Sequence, residues 1–243
     1  MNIRGALVAG YLRRRARKRF AAIHIRGLEQ IAPWERGGGA EHPLLAVVNH
    51  SSWWDAILPV IVSRGEHYHD GYGLMDRVQF DRYSFFRHVG ILPIDRRNPR
   101  RALASLEEVA DAMRGQRRTL WIFPQGKILP NDHRPIEVES GTAHLIRLLG
   151  KCSVAPVAFR YELGREELPI AYISVGRAEH LPAGDATPVR ERSRLIATAM
   201  TDELNRLRDD LNEERTGGFE LLLRGRSSIN RRWDGVRGID DGE

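Results

Sequence analysis

From residue 44 onward, short apolar runs alternate with stretches of helical period, and that alternation leaves few folds open. Leu44–Val48 is five apolar residues in a row, a compact buried strand. Residues 55–63 read as a helix bent by Pro59. Ile91–Ile94 is a short strand, and residues 101–114 place Leu103, Leu106, Val109, Ala110 and Met113 at helical spacing. A strand at 119–123 and a helix over Gly141–Leu149 follow. Strands at 154–161 and Ile170–Val175 then precede a long, charged helix over Val189–Asn212. This order predicts an α/β fold: a single domain with a mostly parallel central sheet flanked by helices. The 243 residues suffice for one sizeable core. Hydrophobic residues at 42% against 29% charged exclude a disordered chain. No repeat or low-complexity segment divides the core, and a glycine-rich loop at residues 33–40 precedes the first strand of the alternation.

Charge is unevenly spread. The net charge is +6, and residues 1–26 hold Arg4, Arg13, Arg14, Arg15, Arg17, Lys18, Arg19 and Arg26 with no acid. Such a block faces an anionic surface. Ile3, Leu7 and Tyr11 recur at helical spacing beside it, with Phe20 and Ile23 after it, so the block reads as a short basic N-terminal helix at a membrane surface. A solvated basic arm is the bland alternative. Composition therefore divides the chain into this segment, a domain over 27–215 and a tail over 216–243, read as basic because residues 222–238 hold Arg224, Arg226, Arg231, Arg232 and Arg237 against one acid, Asp234. No run approaches the ~20 apolar residues of a spanning helix. The lone Cys152 excludes an intramolecular disulfide and fits a reducing compartment, and its apolar edge position reads as a buried structural thiol.

The strongest local signal is Asn49-His50-Ser51-Ser52-Trp53-Trp54-Asp55, directly after Leu44–Val48. Open α/β sheets expose reactive side chains at strand ends. There a histidine can act as a base, and a carboxylate can fix its tautomer. Five helical steps turn about 140°, so His50 and Asp55 meet only if the chain turns between them. Ser52 and Asp55 also match a helix capping box, which needs no chemistry. These residues alone leave both readings open.

Three further blocks decide between them. Gly90-Ile91-Leu92-Pro93-Ile94-Asp95-Arg96, Phe123-Pro124-Gln125-Gly126 and Val154-Ala155-Pro156-Val157-Ala158-Phe159 follow the His50–Asp55 box in order. In this set the chain resembles the glycerolipid acyltransferase superfamily, which includes the lysophosphatidate (1-acylglycerol-3-phosphate) acyltransferases. The resemblance covers residues 23 to 175 and implies a fatty acyl transfer without a covalent enzyme intermediate. His50 takes the acceptor's hydroxyl proton, and Asp55 orients His50. Arg96 becomes the phosphate ligand, because guanidinium offers phosphate a planar fork. Phe123, Pro124, Gln125, Gly126 and Lys127 become the substrate-binding block, with Gly126 allowing close approach of substrate oxygens. The implied donor is acyl-CoA or an acyl carrier protein, and the implied partners are membrane lipids. No metal or other cofactor is implied, and the expected location is peripheral, on the cytoplasmic side of the membrane. A non-catalytic lipid-binding protein on the same fold is the alternative. Nucleic acid is excluded as a partner because the arginines lack interleaved aromatics or a recognised module.

The chain departs from the family pattern at Gln125, Lys127 and Ile128, which stand where Glu, Thr and Arg are usual. An apolar side chain does not replace a bidentate cation, so the preferred acceptor is expected to be not simple lysophosphatidate but a lysolipid with another headgroup, or a hydroxylated or glycosylated lipid. The His67-Tyr68-His69-Asp70 cluster reads as a solvated loop rather than a metal site, and His144 as packing near the site.

Overall fold

The computed structural model describes residues 3–64, 69–164 and 167–226. Strands β1 (Ala22–Arg26), β2 (Leu44–Val48), β3 (Gly71–Asp76), β4 (Ile91–Ile94), β5 (Thr119–Ile122), β6 (Cys152–Glu162), β7 (Ile170–Val175), β8 (Glu179–Leu181) and β9 (Glu220–Arg224) form one sheet. Its order is β4-β3-β5-β2-β6-β7-β1-β9, with β8 beside β6. The run β4-β3-β5-β2-β6 is parallel throughout, so the carboxyl ends of those strands share one edge. Antiparallel pairing enters at β6–β7, β6–β8 and β1–β9. The fold is the expected single α/β domain with a mostly parallel sheet.

Strand β2 lies at the centre because all five of its side chains are buried. Alternation sends Leu44, Ala46 and Val48 to one face and Leu45 and Val47 to the other. Helices α4 (Pro99–Met113), α5 (Gly141–Leu149) and α6 (Val189–Asn212) pack on the Leu45 face. Asn98 caps α4 by accepting from Arg101 N–H at 3.0 Å, and Pro99 starts it where no backbone donor is needed. Ile196, Met200, Leu204 and Leu207 form the buried stripe of α6. The opposite face is covered by α1 (Ile3–Arg17), α2 (Leu58–Ser63) and the 3₁₀ turn Ser84–Val89.

Pro156 sits inside β6 without breaking it. Ser153 N–H points toward β2, where it meets Pro43 O at 2.9 Å, so residue 156 faces the other edge. There the β8 pairing ends at Val154 and the β7 pairing begins at Val157, so no strand asks for the missing donor.

The structure differs from the sequence reading in four places. Residues 22–26 and 220–224, assigned by composition to the basic ends, are strands of the same sheet, with β1 between β7 and β9. The N-terminal helix is docked through buried Leu12 and Ala16, while Ile3, Leu7 and Tyr11 stay exposed. Pro59 starts α2 rather than bending it, because the helix expected over 55–63 is split into a 3₁₀ turn, Trp53–Ala56, and α2. Finally, β3, α3 (Arg77–Arg82) and β8 had no sequence signal. Arg231, Arg232 and Arg237 of the basic tail lie outside the described residues, as do His67 and Tyr68. Among the described residues, no helix is long and apolar enough to cross a membrane.

Candidate active site

The parallel run brings the chemistry to one edge. His50 follows β2, Asp76 ends β3, Arg96 follows β4, Phe123 to Gly126 follow β5, and Tyr161 lies near the end of β6. This is the edge where open α/β sheets bind ligands, because loops there leave the sheet without covering it.

After Val48 the chain turns sharply instead of continuing helically. Asn49, buried, mimics a strand: its Nδ2 donates to Phe159 O at 3.0 Å, and its Oδ1 accepts from Phe159 N–H at 2.7 Å. Gln125, also buried, accepts from His50 N–H at 2.8 Å through Oε1. With its backbone held on both sides, His50 turns Nδ1 to Asp55 Oδ2 at 2.8 Å. The turn that the spacing demanded is the 3₁₀ segment Trp53–Ala56, capped by Ser52, whose Oγ accepts from Trp54 N–H at 3.2 Å. Asp55 closes that cap by accepting from Ser52 N–H at 2.8 Å. The capping box and the His50–Asp55 pair are therefore one structure. The box fixes the carboxylate that fixes the imidazole.

Asp55 is fully buried, so its charge needs internal partners. Its Oδ2 takes Ser51 N–H, Ser52 N–H and His50 Nδ1, and its Oδ1 takes the Tyr161 hydroxyl. Burial, and secondly the Asp55 charge, hold the Tyr161 phenol well above its ordinary value, so it stays a donor. A carboxylate only accepts, so Nδ1 carries the proton and Nε2 is left as the basic nitrogen. Phe123 stacks on the His50 ring with centroids 4.7 Å apart, which limits its rotation.

His50 lines a cavity of about 1010 Å³. One part is apolar, walled by Leu74, Ile94, Ala102, Leu103, Leu106 and Ile122 from β3, β4, β5 and α4. The other part is polar, with Arg96, Asn98, Glu139, Ser140, Thr142 and His144. Of the residues singled out from sequence, His50, Arg96, Phe123, Pro124 and Gly126 line this cavity, and so does Ile128. Asp55 stands behind His50, and Gln125 is scaffold under the His50 backbone. Lys127 is exposed and does not line it. Gly126 is exposed on the cavity wall, but there is no room for a side chain on it. Its N–H bonds Phe123 O at 3.1 Å, and a Cβ there would overlap the Glu139 carboxylate and crowd Arg96 Nη2 at 3.0 Å. Arg96 is not free: Nη2 donates to Glu139 Oε1 at 2.5 Å and Nη1 to Gly126 O at 3.1 Å.

Sequence reasoning missed Tyr161 and Glu139. Tyr161 had a signal, since it lies two residues beyond Phe159 on the same strand face. Glu139 had none, being an acid in an irregular stretch. Trp53 is exposed at the cavity wall, with Arg15 of α1 placed 5.3 Å from its ring centroid.

Residues 22–160, more than half of the chain, match the Acyltransferase family. The chain belongs to that family. Among solved structures it is similar to the 1-acyl-sn-glycerophosphate (LPA) acyltransferase, PlsC, from Thermotoga maritima, at 14% identity and a TM-score of 0.54. The match covers 84% of this acyltransferase and 76% of that chain, and at such identity it speaks to the fold alone. No curated protein matches the sequence.

Proposed function

We propose that this acyltransferase moves a fatty acyl group from a thioester donor, acyl-CoA or an acylated carrier protein, to a hydroxyl of a lysophospholipid or related lipid acceptor. The observation that carries the reading is the His50 Nδ1–Asp55 Oδ2 bond of 2.8 Å, with His50 lining a cavity of about 1010 Å³ that is apolar over much of its wall. In the proposed step, the acceptor oxygen attacks the thioester carbonyl carbon while Nε2 of His50 takes its proton. The tetrahedral adduct collapses, the C–S bond breaks, and the proton passes from His50 to the departing sulfur. Asp55 stays ionised and supports the imidazolium, as the carboxylate of a catalytic triad does.

Membrane contact completes the proposal. Lipid substrates reside in a bilayer, and exposed Ile3, Leu7 and Tyr11 share α1 with Arg4 and Arg13 to Arg17. Arg15 and Trp53 tie the end of that helix to the cavity wall, so a bilayer touching α1 lies near the opening.

Free thiol released from palmitoyl-CoA in the presence of mixed lysolipids tests the reading, with palmitoyl-acyl carrier protein as the second donor. The wild-type protein is expected to release thiol only when acceptor is present. Absence of release with both donors would leave a non-catalytic lipid-binding protein as the better account.

A further inference from the structure

The polar end of the cavity carries no spare positive charge. Arg96 is the lysine or arginine among its lining residues, and Glu139 and Asp76 line it too. With histidines neutral, the lining therefore sums to one negative charge. Arg96 is spanned by Glu139 Oε1 and Gly126 O, and Gly126 is what lets this pair lie against the chain. The nearby Arg97 is taken by Asp95, through Nε at 2.8 Å and through Nη2, and its hydrogen bonds hold that carboxyl well below its usual value. The remaining polar lining is uncharged: Gln79, Asn98, Ser140 and Thr142, beside His144.

From this charge count we infer that the acceptor carries an uncharged, polyhydroxylated head, a glycosyl lipid rather than a phosphomonoester. The inference rests on the acyl-transfer reading for the word acceptor, but its electrostatics stand apart from it. A phosphomonoester brings up to two negative charges and needs a cation fork of its own. Here the Arg96 N–H groups left open lie beside the Glu139 carboxylate, which repels a phosphate that reaches for them. The Arg96 and Glu139 side chains are 42% and 54% exposed, so their mutual attraction is weak and the pair can open. Opening it does not change the charge sum. Vicinal hydroxyls fit the site as it stands. They can donate to the Glu139 carboxylate and accept from the Arg96 N–H groups that Glu139 and Gly126 leave open.

Two measurements on the whole protein test this. The first compares kcat/KM for 1-acylglycerol 3-phosphate and 1-acyl-3-glucosylglycerol, which share the attacking hydroxyl, with the donors named above. The glucosyl acceptor is expected to win by at least about tenfold, the worth of one charge-assisted contact. The second is calorimetric binding of monomeric dodecyl β-glucoside and dodecyl phosphate, which needs no turnover. The glucoside is expected to bind more tightly, and Glu139→Gln, which removes the negative charge beside Arg96, to shift the ratio toward the phosphate by about tenfold. Lysophosphatidate equalling or beating the glucosyl acceptor overturns the inference and leaves acyl transfer standing. Glucoside-selective binding with no transfer to either acceptor supports the head-group inference and sinks the catalytic reading. Phosphate-selective binding by the wild-type protein overturns the inference whatever the turnover.

Discussion

A buried carboxylate with four hydrogen bonds organises the candidate active site, and each bond has a separable consequence. His50→Ala removes the proposed base and is expected to lower turnover by about 10²–10⁴-fold with the melting temperature little changed. Asp55→Asn keeps an oxygen for the Ser52 cap but removes the charge that faces Nδ1, so turnover should fall by orders of magnitude while the fold survives. Near-normal turnover with a lowered melting temperature would instead make Asp55 a helix cap alone. Tyr161→Phe keeps the ring that stacks on Phe20 at 5.9 Å and deletes only the hydroxyl on Asp55. One hydrogen bond to a charged group is worth about 1.5–3 kcal/mol, so kcat is expected to drop roughly tenfold or more with KM nearly constant. An unchanged kcat, measured beside a normal melting curve, would confine Tyr161 to packing. At this scale the sequence spoke where partners are near in the chain. His50 and Asp55 are five residues apart and Arg96 ends a recognisable block, so their candidacy was legible. Tyr161 meets Asp55 across 106 positions, and Gln125 turns its amide to the backbone of His50 across 75. Only the sheet order brings those together.

Helix α1 has apolar residues on two opposite sides, which explains why its sequence was read as a surface helix and its docking was not foreseen. Leu12 lies nine residues after Ile3, about two and a half turns, and so points the other way. Leu12 and Ala16 are buried in the core, whereas Ile3 is 81% exposed and Leu7 68%. Deleting the helix would therefore strip the core as well as any anchor. The informative variant is Ile3→Ser/Leu7→Ser/Tyr11→Ser, which leaves the buried side intact. It is expected to keep the wild-type melting temperature yet to float poorly with anionic vesicles. Wild-type flotation should itself weaken with salt, since each arginine near the surface supplies about 1 kcal/mol that is screened beyond a Debye length of ~10 Å at 0.1 M. Undiminished flotation of the triple variant would place the contact elsewhere. The other elements follow the same logic. Gly141–Leu149, Ile170–Val175 and Val189–Asn212 were legible because their periods are clean. Strand β3 was not, because Gly71 and Gly73 lower strand propensity; they are there because a Cβ would collide with Ser63 or press on Ile91 at 2.8 Å. Strand β1, Ala-Ile-His-Ile-Arg, was hidden by the basic run that precedes it.

Across the whole molecule, alternating strands and helices gave the layers, while the order β4-β3-β5-β2-β6 that gathers the site depends on crossovers no local pattern encodes. The mixed half, in which β7 runs antiparallel to β6, β1 parallel to β7 and β9 antiparallel to β1, completes the sheet with residues from both ends of the described chain. Opening the core therefore means separating strands far apart in sequence, which makes cooperative unfolding the expectation. The lone Cys152 reports on it. Its side chain is fully buried, in the cluster between β6 and the helices of the Leu45 face. Burial pushes its thiol up from 9.0 to about 12, so in the native state it is neutral, shielded and unreactive near neutral pH. A chromogenic disulfide reagent at pH 8 is therefore expected to label the native protein no faster than the protein opens, with a rate that rises in urea along the unfolding limb. The raised value also carries a pH dependence of fixed sign. A thiol that is harder to ionise folded than unfolded contributes stability in full below the unfolded value near 9, and loses it as pH climbs toward about 12. Within that window this group alone should cost roughly 1.4 kcal/mol of unfolding free energy per pH unit. Urea titrations between pH 8 and 11 measure the slope. Cys152→Ala should be less stable at pH 8, because it leaves a small cavity, yet decline less steeply with pH than the wild type. Equal slopes for the two proteins, or rapid labelling of the folded protein, would show that the β6 end of the core opens locally, without the rest of the sheet.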